Sequence, residues 1–320
     1  MKSKVSVIVT CFNHEDYIEE CLRSIFSQTY SNIELFVFND GSTDNSGKII
    51  EQVLTESPFF ETKYIYDENR GVVAVRNEGL GQFTGDYVLF VDSDNFLNND
   101  HIEKLLIALQ SEQYDIAYCQ LWDFVREKNV LQEDLSFSME KMLRGNLIDV
   151  SALIRAEKIK DQKFDMRLNN QLLEDYDFWL NLIINKQAKP IFVTETKLNY
   201  RVLSESRSSR GDWKRYYDIY FYILDKYITQ FPIEISQAIH DNVEIWIEGH
   251  DDMEQRYLSV LSEKEQNKLE IKKLYQQKSS IEQQLNQKEQ ELQLITNSRS
   301  YKIGNILTHP LRKLKQVLKK

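Results

Sequence analysis

Hydrophobic residues follow two alternating patterns along the first part of the chain. Short, nearly unbroken apolar runs read as buried strands: Val5-Ser6-Val7-Ile8-Val9-Thr10, Ile33-Glu34-Leu35-Phe36-Val37-Phe38, Lys63-Tyr64-Ile65-Tyr66 and Tyr87-Val88-Leu89-Phe90-Val91. Between them apolar residues recur at helical spacing, as in Tyr17, Ile18, Cys21, Leu22, Ile25 and Phe26, then Ile49, Ile50 and Val53, then Val72 to Leu80. The joints are short and polar: Cys11-Phe12-Asn13-His14, Asn39-Asp40-Gly41-Ser42-Thr43-Asp44 and Asp67-Glu68-Asn69-Arg70-Gly71. Thr43 or Asp44 is placed to cap the helix that follows it. Strand, turn and helix in this order predict right-handed βαβ units, hence an α/β fold with a mostly parallel central sheet and flanking helices.

Farther along, Ile102, Leu105, Leu106 and Leu109 predict an amphipathic helix, Asp115 to Cys119 a strand, Met139 to Leu143 a short helix and Val150 to Ile154 a strand. The stretch 120–170 otherwise carries little periodicity. Acidic residues then precede an aromatic helical run, Glu174-Asp175-Tyr176-Asp177-Phe178-Trp179-Leu180. Read alone, these acids are a favourable first turn of a helix. Trp179 is either a core residue or a ligand platform. From Trp213 to Ile247 the pattern is helical and aromatic, with Tyr216, Tyr217, Tyr220, Ile223, Leu224 and Tyr227 suited to packing on the preceding domain or on a partner. From about Asp251, Ile271, Leu274, Lys278, Ile281, Leu285, Lys288, Leu292 and Ile295 follow alternating steps of three and four, a heptad seam. The predicted organisation is a catalytic domain over 1–211 (halves 1–95 and 96–211), a helical region over 212–250, a coiled coil over 251–297 and a basic amphipathic tail over 298–320. A lone helix would leave the seam in water, so a homo-oligomer through the coiled coil is expected; Lys278 and Lys288 weaken the seam, and a solitary solvated helix is the alternative.

Composition narrows the partners. The 320 residues, 42% hydrophobic and 12% aromatic, can bury a large core. A formal net charge of −10 argues against nucleic acid as a partner. Cys11, Cys21 and Cys119 form an odd set without metal-type spacing, which suits a reducing cytoplasm without disulfides. The first strand starts within a few residues of Met1 and no run of about 18 apolar residues occurs, so neither a signal peptide nor a transmembrane helix is expected. The tail carries Arg299, Lys302, Arg312, Lys313, Lys315, Lys319 and Lys320 without an acidic residue, interleaved with Tyr301, Ile303, Ile306, Leu307, Leu311, Leu314, Val317 and Leu318. That composition fits peripheral attachment to an anionic membrane at its cytoplasmic face; a soluble basic tail lying on the acidic body is the alternative.

The candidate chemistry sits where the strands end. Thr10 and Asn13, Asn39 and Asp40, Arg76 and Asn77, and Asp92 and Asp94 come from four separate turns, and in a parallel sheet these ends share one edge, where open α/β sheets bind ligands. Asp40 alone is a turn residue; the convergence defines a crevice. Asp92-Ser93-Asp94 places two carboxylates together after a buried strand, an arrangement that requires a positive partner, and a divalent cation on a diphosphate supplies one. A dinucleotide-binding dehydrogenase is disfavoured, because no Gly-x-Gly-x-x-Gly follows the first strand.

Taken in order, Val5 to Asn13, Asn39-Asp40-Gly41-Ser42-Thr43-Asp44, Asn69-Arg70-Gly71 with Ala74 to Gly79, and Asp92-Ser93-Asp94 resemble the family 2 glycosyltransferases of bacterial surface-polysaccharide or glycoprotein type, over about the first two hundred residues. The resemblance implies a GT-A fold and a nucleotide-diphosphate sugar donor, with UDP favoured. It implies that Asp40 accepts from the uracil N3–H, that Thr10 and Asn13 line the base and ribose, that Arg76 lies near the base or diphosphate, and that Ser93 belongs to the donor site. Asn39 departs from the common Asp-Asp-Gly-Ser. By the same resemblance Asp94 ligates Mn²⁺ or Mg²⁺, and Asp92 contacts the ribose or reaches the metal through water. Asp175, with Glu174 second, is the implied general base of a single, inverting displacement on a hydroxyl of a glycan, lipid-linked or protein-linked acceptor. Asn199-Tyr200-Arg201-Val202-Leu203-Ser204 is similar to a Tyr-Arg-x-His segment, which sets Arg201 toward the diphosphate, with Leu203 in the histidine position. The loop Ser204 to Arg210 is a donor lid or a plain solvated loop. A degenerate GT-A scaffold acting through its coiled coil is the alternative function; a nucleotidyltransferase is weakened by the lack of a glycine-rich basic loop after the first strand.

Overall fold

The computed structural model describes residues 2–110, 113–203, 213–298 and 302–304. The expected lid at 204–210 and nearly all of the basic tail lie outside the described residues. The first half alternates strand and helix as the pattern predicts: β1 (Val5–Cys11), α1 (Ile18–Phe26), β2 (Ile33–Asp40), α2 (Ser46–Leu54), β3 (Glu61–Asp67), α3 (Val72–Leu80) and β4 (Tyr87–Asp92). The next part holds β5 (Phe96–Leu97), α4 (His101–Gln110), β6 (Ile116–Asp123), β7 (Lys128–Asn129), α5 (Met139–Arg144), β8 (Leu153–Arg155), α6 (Ala156–Ile159), a 3-10 turn at Met166–Leu168, α7 (Glu174–Asn185) and β9 (Pro190–Tyr200). Two helices follow, α8 (Trp213–Asp225) and α9 (Pro232–Asn297).

Among the described residues the strands form one sheet in the order β3-β2-β1-β4-β8-β6-β9-β5, with β7 beside β6. β3, β2, β1 and β4 run parallel. β8 lies antiparallel between β4 and β6, and β9 runs parallel to β6. The register sets Thr10 beside Asp92, Cys11 beside Asn39, and Asp40 beside Asp67. The four carboxyl ends that carry polar residues therefore share one edge.

Both faces of the sheet are covered, which is why its strands read as continuous apolar runs. Val5, Val7 and Val9 pack with Ile18, Leu22 and Ile25 of α1, Ile50 and Val53 of α2, and Leu105 and Leu109 of α4. Ile8, Phe36, Phe38 and Phe90 point the other way, toward Val73 and Val75 of α3 and Phe178, Trp179 and Leu182 of α7. Each such fully buried aliphatic side chain contributes about 1.5–3 kcal/mol. Trp179 is wholly buried in this second core.

Two local expectations change. The helix after β2 starts at Ser46, and Asp44 serves it from just outside, accepting the Ser46 N–H (2.9 Å) and the Glu15 N–H (3.0 Å). The strand expected from Val150 begins only at Leu153, because the Asp149 carboxylate accepts the Ser151 N–H (2.9 Å) and the Asp149 carbonyl accepts the Ala152 N–H (3.2 Å), closing a turn.

The chain divides into two units, Met1–Asn242 and Val243–Lys320. In the first, Tyr220, Ile223 and Leu224 of α8 and Ile235 and Ala238 of α9 are buried in the same core as α7. In the second, α9 continues and leaves Ile271, Leu274, Ile281, Leu285, Leu292 and Ile295 each more than half exposed. Among the described residues no helix is long and apolar enough to cross a membrane, and the three cysteines are buried and free.

One polar bracket fastens the edge of the sheet opposite the crevice. Buried Glu34 accepts from the Ser6 hydroxyl, from the Thr84 hydroxyl (2.7 Å) and from the backbone N–H of Thr84 (2.6 Å) and Gly85 (3.1 Å), with the Lys4 ammonium 3.1 Å away. Burial alone would raise its pKa, but these donors pull it down to about 2. Glu34→Ala orphans them and lowers the unfolding free energy by about 2–3 kcal/mol in urea titrations near neutral pH. A depressed carboxyl stabilises above its unfolded pKa and stops doing so as pH falls toward about 2. The wild type therefore loses more stability than Glu34→Ala between about pH 5 and pH 2.

Candidate active site

The carboxyl edge is organised by hydrogen bonds between neighbouring turns. Thr10, at the end of β1, donates its hydroxyl to Asp92 Oδ1 (3.1 Å). Asn13 has a left-handed backbone (φ 53°), and its side-chain oxygen accepts the Thr43 N–H (2.8 Å) while its own N–H donates to Ser42 Oγ (2.9 Å). Asp40 receives the N–H groups of Arg70 (2.8 Å) and Gly71 (2.9 Å), so its carboxylate holds the turn that opens α3. Gly41 (φ 73°) is required there, since a Cβ would stand 2.6 Å from the Asn69 nitrogen.

Arg76 lies deeper than the sequence suggests. It is 2% exposed, its Nη2 donates to Asp92 Oδ1 (2.8 Å), and its Nη1 donates to Glu174 Oε1 (2.9 Å). Its plane lies 5.8 Å from the centre of the Phe164 ring. Burial alone would lower its pKa, but the Asp92 and Glu174 carboxylates hold the guanidinium above its ordinary value. One side chain of α3 thus joins the end of β4 to the start of α7. Its Nε is buried with no hydrogen-bond partner among the described residues.

The acids on either side differ in their surroundings. Asp94 is half-buried, and burial followed by the charge of Asp92 pushes its pKa up to about 7. Asp175 is pushed up to about 8, first by burial, then by the Glu174 and Asp149 carboxylates, against the pull of Arg76. Glu174 and Asp175 open α7 directly after Leu173, whose backbone is left-handed (φ 62°). That conformation is unusual for a branched residue and costs on the order of 1 kcal/mol. Asp175 Oδ1 accepts the Tyr176 N–H (2.8 Å), and Asp175 Oδ2 accepts from the Asn146 side-chain nitrogen (2.8 Å).

Arg201, just after β9, reaches the same edge from the other half of the sheet. Its guanidinium stacks between Tyr17 (4.5 Å) and Phe124 (4.8 Å), donates to the Asp94 carbonyl (3.1 Å) and pairs with Glu20 (2.6 Å). Its backbone N–H donates to Asn95 Oδ1 (2.9 Å). Ser93 is buried and shares a hydrogen bond with His14 Nδ1 (2.7 Å).

Three residues of this neighbourhood carried no motif. Asn146 and Asp149 lie in the aperiodic stretch before β8, and His14 sits in the first polar turn. For Asp149 the available signal was a polar residue before an apolar strand, too common to single out. Among the described residues no three His, Cys, Asp or Glu side chains form a ready-made metal cage. The oxygen donors at this edge, Asp94 and Asp92, are hard ligands of the kind Mg²⁺ and Mn²⁺ take.

Comparison with known proteins agrees with the geometry. The family model described as Glycosyl transferase family 2 matches residues 6–167. The chain is 44% identical over 121 residues to the glycosyltransferase GlyA of Streptococcus pneumoniae, which covers 38% of this chain and only 17% of that protein. Staphylococcus aureus TarS 1–349 in complex with UDP-GlcNAc superposes with a TM-score of 0.59 at 23% identity, covering 75% of this chain and 71% of TarS 1–349. The mannosyltransferase PcManGT from Pyrobaculum calidifontis, in complex with GDP-Man and Mn²⁺, superposes with a TM-score of 0.55 at 18% identity, covering 75% of this chain and 74% of PcManGT. These structures share the GT-A architecture with this chain.

Arg76→Ala leaves the Asp92 and Glu174 carboxylates facing a site without their shared cation. Its unfolding free energy falls by about 3–5 kcal/mol in chemical denaturation, and Arg76→Lys restores only part, because an ammonium cannot span both partners in one plane.

Proposed function

We propose that this chain, which belongs to glycosyl transferase family 2, transfers a sugar from a UDP-sugar to a hydroxyl of a glycan, lipid-linked or protein-linked acceptor in bacterial surface-glycan synthesis. The observation that carries this reading is the Arg76 bridge: it sets the β4 end, Asp92-Ser93-Asp94, beside the Glu174-Asp175 pair of α7 at the carboxyl edge of a parallel sheet. Donor-holding and proton-accepting groups then share one crevice. The UDP-GlcNAc bound to TarS supports a nucleotide-sugar donor.

In this reading Asp40, Thr10 and Asn13 line the nucleoside end of the donor, and Asp92, Ser93 and Asp94 face its diphosphate. Asp94, with Asp92, would hold Mn²⁺ or Mg²⁺; bound there with the diphosphate, the ion supplies positive charge against the departing nucleotide. Arg76 keeps Asp92 and Glu174 in place and stays out of the donor pocket. Arg201, gripped by Tyr17, Phe124 and Glu20, orders the turn that carries Asp94. Asp175 takes the acceptor O–H proton while that oxygen bonds to the anomeric carbon. The bond from that carbon to the diphosphate oxygen breaks, its electron pair leaves with UDP, and configuration inverts. Glu174 stays with Arg76 and shapes the field around the base. The heptad stripe of α9 suits pairing with a second copy, and the basic tail suits an anionic membrane at its cytoplasmic face.

Three measurements test this. Thermal shift against UDP-Glc, UDP-Gal, UDP-GlcNAc, UDP-GalNAc and GDP-Man with Mn²⁺ shows a UDP-sugar stabilising the wild type; no response to any donor favours the scaffold alternative. Asp94→Ala keeps its fold but loses the metal-dependent part of that stabilisation. Asp175→Asn retains donor binding and loses about 10²–10⁴ in kcat; near-normal turnover removes it as the base. For α9, sedimentation of the full chain gives a dimer mass and of a chain ending at residue 250 a monomer mass, and an unchanged mass excludes pairing through the heptads.

A further inference from the structure

We infer that Asn146 is the positioning residue of the proposed base, holding the Asp175 carboxylate at the mouth of the crevice by a fixed side-chain hydrogen bond. The inference rests on the reading of Asp175 given above and adds a residue to it. Asn146 follows α5, and its amide cannot turn freely: Oδ1 accepts the Ile148 N–H (3.1 Å), closing a turn, which leaves Nδ2 aimed at Asp175 Oδ2 (2.8 Å). The other Asp175 oxygen is already taken by the Tyr176 N–H (2.8 Å). Both oxygens are therefore oriented, one by its own helix and one from 29 residues away.

The platform under Asn146 is itself anchored. Tyr176, next to Asp175, donates its hydroxyl to the carbonyls of Met142 (2.8 Å) and Leu143 (3.2 Å) at the end of α5. Tyr220 of α8 donates to the same Leu143 carbonyl (2.7 Å), and Asn242 of α9 donates to the Arg144 carbonyl (2.9 Å). The last carbonyls of α5, which the helix leaves unpaired, are thus filled by α7, α8 and α9. Asn146 emerges from that junction, and a shift of the junction would move the base.

The contact also bears on the charge of Asp175. The groups that face it are Glu174 on its own helix, Asp149 before β8, and Arg76 of α3. Burial and the two acids favour the neutral carboxyl, Arg76 favours the carboxylate, and so does a donated amide N–H. Removing that donor raises the pH at which the base becomes available, whereas a purely structural asparagine would leave it unmoved.

The test uses the full-length protein with ¹³C-labelled aspartate, the Asp175 carboxyl signal being identified by its loss in Asp175→Asn. Titration of the wild type gives a midpoint well above the ordinary carboxylate range, and Asn146→Ala moves it up by about one pH unit. Asn146→Asp can still accept the Ile148 N–H, so it keeps the turn while losing the donor; its midpoint also rises, and thermal melting confirms that it folds. With UDP-GlcNAc, Mn²⁺ and UDP release as readout, both variants lose roughly 10- to 100-fold in kcat with the donor KM unchanged. An unmoved midpoint in folded Asn146→Ala and Asn146→Asp overturns the proposal, and if Asp175→Asn is inactive the base reading survives that result. Full turnover by Asp175→Asn removes the base and the role of Asn146 with it.

Discussion

The buried Arg76 guanidinium is the interaction on which this site depends. Asp92 ends a strand of the sheet with its carboxylate half-buried, and Glu174 begins a helix from the other half of the domain with its carboxylate buried. Without a cation between them the two would repel, and the buried Glu174 would be left with an uncompensated desolvation penalty. Arg76 meets both with separate nitrogens of one rigid plane, which a lysine could not do. The bridge therefore sets the spacing between the end of β4 and the start of α7 as well as balancing charge. It also explains a buried arginine directly after the apolar run Val72-Val73-Ala74-Val75 that opens α3.

The parallel half of the fold was readable because its strands are buried on both faces and its turns are short. Period and punctuation then agree, and the register places Thr10, Asp40 and Asp92 where the pattern puts them. Arg76 shows where that reading stops. Its position in α3 was legible, but its partners lie 16 and 98 residues away, and no local pattern encodes a contact of that range. The resemblance set Arg76 toward the base or diphosphate; in the structure its two terminal nitrogens pair with the Glu174 and Asp92 carboxylates. Asn146 and Asp149 were illegible for another reason. They lie in turns held by side chain to backbone bonds, which leave no period, and the Asp149 turn delays β8 to Leu153.

The C-terminal helices show how an apparent appendage enters the site. The aromatic spacing of Tyr216 to Tyr227 predicted packing without saying on what. In the structure Tyr220 fills a carbonyl at the end of α5 and Asn242 fills the next one, so the first compact unit extends to Asn242. Lys226 adds to the clasp by pairing with Asp165 (2.9 Å) and Asp177 (2.6 Å), the latter in the first turn of α7. A domain drawn to end before α8 would leave the Arg144 carbonyl without its Asn242 partner and α7 without this cation.

The balance of charge at the crevice bears on what can enter it. Asp92, Asp94, Asp149, Glu174 and Asp175 are linked by contact or by mutual electrostatic influence, and the guanidiniums among them are Arg76 and Arg201. Arg76 is spent on Asp92 and Glu174, and Arg201 is shared with Glu20. The upward shifts of Asp94, Asp149 and Asp175 express this crowding together with their burial. A diphosphate approaching such a site alone meets like charge at close range, where partial burial weakens solvent screening. Basic side chains could reverse that sign, but among the described residues Arg76 and Arg201 rest on the protein's own carboxylates. On the proposed reading the compensating charge would arrive with the donor, and a divalent cation held by Asp94 would fit both the sign and the oxygen ligands. On that reading the acid crowding, which would be a defect in an apolar core, would favour a nucleotide sugar that brings its metal over a bare anion.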